Sequence, residues 1–169
     1  MRATTGLVRA ALGNILGTRL VSARVVDLFA GAGSLGLEAL SRGAAMATFV
    51  ELQRAHAEVI EANLEMLGFQ ARAEVVVADA LAWARRPQPA LGSADVVLLD
   101  PPYRDRGPAL CQAVVAQLGV VAEQLPEWNP VVVVEHHRQL ALPATPGALN
   151  CVRTARYGTT ELSFYQRRT

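Results

Sequence analysis

The sequence predicts an α/β fold: a mostly parallel, doubly wound sheet with helices on both faces and an antiparallel hairpin at its C-terminal edge. Three observations predict it. Short runs of Val and Leu alternate with segments of helical periodicity. Those runs are continuously apolar rather than alternating, as expected of strands buried on both faces. The length, 169 residues, suits a single domain, expected to span residues 1–169.

The elements follow in order. Leu7, Ala11, Leu12, Ile15 and Leu16 recur at helical spacing behind Thr5, a candidate N-cap, and ahead of Gly17, so a short amphipathic helix is predicted over 5–16. A strand begins at Arg24, Val25-Val26-Asp27-Leu28-Phe29, and runs into the turn Ala30-Gly31-Ala32-Gly33-Ser34-Leu35-Gly36. A helix carrying Leu37 and Leu40 then stops at Gly43. The second strand, 47–50, ends at Glu51 and leads to a helix over 53–67 closed by Gly68. Strand three is predicted over 74–77 and ends near Asp79, strand four over 96–99 and ends at Asp100, and strand five over 131–134 and ends at Glu135. Helices over 80–86 and 109–118 fit between them. Two alternating runs, 151–157 and 161–166, flank Gly158-Thr159-Thr160 and read as a hairpin.

Composition narrows the function classes. Residues are 51% hydrophobic, which argues against disorder. A formal net charge of +1 supplies no global field for a polyanion, so any nucleic-acid contact must come from a local Arg cluster. Cys111 and Cys151 have no metal-ligand spacing, so they are expected as free thiols and no metal is expected. No apolar run has the roughly 20 residues of a membrane span. Arg9, Gly13, Asn14 and Arg19 interrupt the first twenty residues, so a cytoplasmic, membrane-free protein is expected.

In an open α/β sheet, ligands bind outside the carboxyl ends of the strands. Asp27, Glu51, Asp79 and Asp100 all fall in or near such ends. Gly31, Gly33 and Gly36 satisfy GxGxxG, which admits a nicotinamide dinucleotide. An acidic residue inside the first strand, a second after strand three, and no length for a dehydrogenase's catalytic domain favour S-adenosylmethionine instead. The expected cofactor-binding set is Asp27, Phe29, Ala30, Gly31, Gly33, Gly36, Glu51, Asp79 and Ala80. Glu51 would accept hydrogen bonds from the ribose hydroxyls, because an ionised carboxylate is acceptor-only. Asp79 would meet the adenine amine, or serve only as a helix cap.

Asp100-Pro101-Pro102-Tyr103 is the most specific signal. Two prolines and an aromatic make a stiff loop that a simple turn does not require. An exocyclic amine on a nucleobase is a poor nucleophile, because its lone pair is delocalised into the ring. The Asp100 carboxylate and the Pro101 carbonyl can each accept one N–H, with Pro102 fixing the carbonyl's direction, and draw the nitrogen toward a tetrahedral shape. Tyr103 would stack on an unstacked or flipped base. Arg104 and Arg106 flank this loop and are the candidates for backbone phosphates. The chemistry alone admits guanine N2, adenine N6 or cytosine N4, in RNA or DNA, and a non-catalytic cofactor-binding scaffold remains an alternative.

The run Asp27-Leu28-Phe29-Ala30-Gly31-Ala32-Gly33-Ser34-Leu35-Gly36-Leu37-Glu38-Ala39-Leu40, then Phe49-Val50-Glu51, then Asp100-Pro101-Pro102-Tyr103, resembles the RsmD family of bacterial 16S ribosomal RNA guanine-N2 methyltransferases. Arg2-Ala3-Thr4-Thr5 at the start and Arg156-Tyr157-Gly158-Thr159-Thr160-Glu161-Leu162 near the end extend the resemblance over nearly the whole chain. It implies a seven-stranded Rossmann-like methyltransferase sheet and S-adenosylmethionine converted to S-adenosylhomocysteine. It also implies a guanine of 16S rRNA as acceptor, met by a monomer within a 30S subunit or an assembly intermediate. The family's basic β-hairpin is expected to be absent ahead of Arg2, and Ala3, Gly6 and Ala10 replace a Pro, an Asp and a Glu usual in the family.

Overall fold

The computed structural model describes residues 5–169. The readings placed on Arg2, Ala3 and Thr4 lie outside them. Helix α1 (Gly6–Leu16) opens the chain, capped by the Thr5 hydroxyl, which accepts from the Val8 amide. There follow β1 (Arg24–Leu28), α2 (Ser34–Ser41), β2 (Met46–Glu51), α3 (Arg54–Leu67) and β3 (Ala73–Val77). The second half comprises α4 (Ala80–Ala84), α5 (Pro89–Gly92), β4 (Val96–Leu99), α6 (Gly107–Gln124), β5 (Val131–His137), β6 (Leu149–Tyr157) and β7 (Thr160–Arg167). One seven-stranded sheet has the order β3-β2-β1-β4-β5-β7-β6. β1 to β5 are parallel and β7 pairs antiparallel with both β5 and β6.

Strand alternation divides the core in two. Val25, Phe49, Leu98 and Val133 face one side and pack against Leu12, Leu35, Ile60 and other residues of α1, α2 and α3. Val26, Val50, Leu99 and Val134 face the other and pack against Trp83, Leu91, Val115 and Leu118 of α4, α5 and α6. Continuous Val and Leu runs are what a strand covered on both faces needs, as the sequence implied.

Departures from the expected boundaries are most instructive at β5, α4 and α6. β5 continues through Glu135 and His136 to His137, because Glu135, His136 and His137 pair with Leu162, Glu161 and Thr160 of β7. Their polarity hid the extension, but His136 satisfies both ring nitrogens internally. Its Nδ1 donates to the His137 carbonyl at 2.9 Å, and its Nε2 accepts from the Ser163 hydroxyl at 2.8 Å. Helix α4 stops at Ala84 rather than residue 86, since Pro87 disfavours a helical conformation at Arg86, and the short α5 starts on Pro89. Helix α6 is longer at both ends than 109–118. Pro108 is tolerated in its first turn, and Gly119 lies inside it because the backbone of Pro146 and Gly147 packs directly on that glycine.

The C-terminal hairpin closes on the two residues Gly158 and Thr159, with Tyr157 paired to Thr160 and Gly158 at φ 63°. Val152 is a bulge between Cys151 and Arg153 on the edge strand. Both cysteines are free thiols. No helix among the described residues is long and apolar enough to cross a membrane.

Candidate active site at the carboxyl edge of the sheet

Strand order reverses between β1 and β4, and the conspicuous sequence motifs meet there. The turn after β1 is tightly wound. Phe29, Gly31 and Gly33 all have positive φ, at 61°, 59° and 87°, so three of five consecutive residues are left-handed. For Phe29 this conformation is strained, and such strain is characteristic of ligand-binding turns. Gly33 N–H donates to the Ala30 carbonyl at 2.8 Å, and the Asn63 side-chain amide of α3 donates to the Ala32 carbonyl at 3.3 Å. Gly36 is required for packing, since a Cβ there would drive into the Phe49 ring.

Two carboxylates organise the backbone of this turn. Asp27 is buried at 1% exposure and its Oδ2 accepts from the Gly36 amide at 2.9 Å. Burial pushes its carboxyl up to about 8, with the Gly36 hydrogen bond opposing and the charges of Asp100 and Glu51 reinforcing the rise. Asp27 therefore shapes the turn from beneath. Glu51, the last residue of β2, uses Oε2 to accept from the Gly31 amide at 2.7 Å. Its Oε1 accepts from the Gln53 amide at 3.0 Å and lies 3.3 Å from His56 Nδ1. Asp79 caps α4, accepting from the Ala82 amide at 2.8 Å, with Ala80 buried behind it. The cap reading of Asp79 is thus seen directly.

The fit to S-adenosylmethionine rests on this donor and acceptor set. A left-handed glycine turn brings main chain close to any ligand seated above it. An acceptor-only carboxylate at the end of β2 suits a ribose diol, and a half-buried Asp at the end of β3 suits an amine.

Asp100 directly follows β4, so its loop is launched beside the glycine turn. Pro101 is buried, Pro102 exposed and Tyr103 half-buried. The loop is clamped against α6: a Cβ at Gly107 would overlap the Pro102 carbonyl. The Tyr103 hydroxyl donates to Glu135 Oε1 at 3.3 Å, and the Tyr103 ring meets His137 edge-on with centroids 6.5 Å apart. Arg104 and Arg106 are exposed. Several other arginines are engaged: Arg9 with Glu38, Arg156 with Glu161, and Arg167 with the carbonyls of Ala122, Leu125 and Trp128.

Glu135 and His137 are the members of this site that sequence reasoning missed. The strand-end rule that singled out Asp27, Glu51 and Asp100 applied equally to Glu135. Asn63 and His56 carried no sequence signal, since each is set by helix α3 folding back over the turn. A recess of about 460 Å³ at the opposite, amino edge of the sheet, lined by Arg19, Ser22, Asp95 and Asn129 among others, gathers none of these groups.

Over residues 1–166 the sequence matches the family described as conserved hypothetical protein 95. It is 35% identical to ribosomal RNA small subunit methyltransferase D of Escherichia coli (strain K12) over 171 residues, 99% of this chain and 80% of that protein. The structure is similar to that of yhhF from Escherichia coli, with a TM-score of 0.80 and 31% identity, covering 99% and 89% of the two chains. An RNA methyltransferase from Salinibacter ruber, in complex with S-adenosyl-L-homocysteine, shares the fold at a TM-score of 0.70 and 15% identity, over 98% and 94%.

Proposed function

Because the chain belongs to the conserved hypothetical protein 95 family, we propose that it is an S-adenosylmethionine-dependent methyltransferase that methylates the exocyclic N2 of a guanine in small-subunit ribosomal RNA. The observation that carries the reading is the placement of Asp100-Pro101-Pro102-Tyr103. A rigid acceptor loop is fixed to the end of β4, next to the glycine turn and across from Glu51. The rRNA methyltransferase name of the relative with 35% identity supports the substrate class.

When bound, S-adenosylmethionine supplies an electrophilic methyl group on a sulfonium. The chain's own residues do the rest. Glu51, oriented by the Gly31 and Gln53 amides, would take the ribose hydroxyls, and Asp79, besides capping α4, would accept from the adenine amine. Asp100 and the Pro101 carbonyl accept the two N–H groups of the target amine and turn its lone pair toward the methyl. Methylation requires the amine nitrogen to give up a proton, and Asp100, as an acceptor of one of its N–H groups, would take it. Tyr103 supports the base plane, and Arg104 and Arg106 meet phosphates of the strand that carries it.

The test is methyl transfer from radiolabelled S-adenosylmethionine to 30S subunits, free 16S rRNA and DNA in parallel, with nucleoside analysis of the product. N2-methylguanosine in rRNA is the expected result. Label only in DNA, or cofactor binding without transfer to any of the three, overturns the reading.

A further inference from the structure

Glu135 has no part in the acceptor chemistry described so far, yet it lies beside it. β4 and β5 are parallel, and their last pair in register is Leu99 with Val134. One step further along each strand lie Asp100 and Glu135. Alternation places both on the side of the sheet to which Leu98 and Val133 point, the side shared with Asp27 and Glu51. Glu135 is buried at 6% exposure, and its Oε1 takes the hydroxyl of Tyr103, the residue assigned to the base plane. His137, two residues on and on the same side of β5, packs its ring against Tyr103. A buried carboxylate is thereby tied to the acceptor loop next to the carboxylate that takes the target amine.

From this juxtaposition we propose that Glu135 is a specificity-determining residue that accepts the N1–H of guanine while Asp100 accepts from N2. The inference rests on the guanine reading above. Guanine presents two adjacent donors, N1–H and the N2 amine. Adenine and cytosine present an acceptor nitrogen next to their exocyclic amine. In its carboxylate form a Glu accepts only and has nothing to donate, and one such side chain can take more than one donor. Beside Asp100, such a group rewards a second donor and repels a lone pair. A buried polar group left facing the wrong partner is the kind of element that discriminates strongly between otherwise similar substrates.

The experiment compares guanine with 2-aminopurine at the position the wild-type protein methylates, in synthetic rRNA assembled into small-subunit particles. The analogue keeps the amine but carries a lone pair at N1. Wild type is expected to prefer guanine in kcat/KM by at least about 100-fold. Glu135→Gln, whose amide can donate to N1, is expected to shrink that preference to about tenfold or less. A role confined to holding the loop in shape would lower both rates and leave their ratio unchanged. An unchanged ratio in the variant, or equal turnover of the two bases by wild type, overturns the proposal, and the second comparison needs no variant at all. If wild type methylates no guanine in rRNA, the guanine reading itself fails, a result distinct from a lost preference.

Discussion

At the scale of single residues, four carboxylates with one chemistry take different tasks because their surroundings differ. Asp27 lies beneath the turn, Glu51 at its rim, and Asp100 and Glu135 at neighbouring strand ends. Removing the Glu51 acceptor by Glu51→Ala should weaken S-adenosylmethionine binding at least about tenfold, read by calorimetry, since hydrogen bonds to charged groups contribute about 1.5–3 kcal/mol. Asp100→Ala should leave that affinity nearly unchanged and cut transfer by about 100- to 1000-fold. Full turnover in the Asp100 variant would sink the mechanism. Asp27 makes a separate, pH-dependent prediction. Its carboxyl is raised by burial from 3.8 to about 8, so between those values the folded state holds a proton that the unfolded chain has lost. Stability from this group is complete below about pH 4 and declines as pH rises toward 8. Asp27→Asn, which can still accept from Gly36, should flatten the fall in Tm between pH 5 and 8 relative to wild type. Parallel Tm curves for the two proteins would contradict it.

At the scale of elements, the parallel strands were legible because burial on both faces imposes uninterrupted Val and Leu runs, and β4 at Val96–Leu99 matches its expected range. β5 was legible only as far as Val134. Its last three residues are polar, and their place in the sheet is decided by pairing with β7, a contact between segments far apart in sequence. The strand-end rule covered Glu135, but the same limit hid what ties it to the acceptor loop: its partner Tyr103 is 32 positions away. The acceptor loop owes its rigidity to another such contact, the start of α6 against Pro102. Gly107→Ala must push that carbonyl aside, at a cost of about 1–3 kcal/mol for overpacking. We expect slower transfer with cofactor affinity preserved, because the glycine turn belongs to different elements. Single-turnover kinetics beside calorimetry check this, and equal loss in both would show that the two halves of the site are not independent.

For the whole molecule, the sheet order collects every acidic site residue at one edge, while the basic residues are spread thinly and several are engaged internally. The sequence motifs located that edge, because glycine turn, strand-end carboxylates and acceptor loop are each local. They left the RNA path open, because which arginines are spent internally is a property of the folded surface. Arg9 is paired with Glu38, Arg156 with Glu161, and Arg167 is turned onto main-chain carbonyls. Arg104 and Arg106 make no side-chain hydrogen bond or ion pair among the described residues and flank the acceptor loop. With a net charge of only +1, affinity for a polyanion must depend on few local contacts. Replacing both arginines by alanine should raise KM for rRNA, leave cofactor affinity untouched, and reduce the slope of log affinity against log salt by about 1–2, as two lost phosphate contacts require. An unaltered salt slope would place the phosphate contacts elsewhere on the surface and leave these two arginines as ordinary solvated side chains.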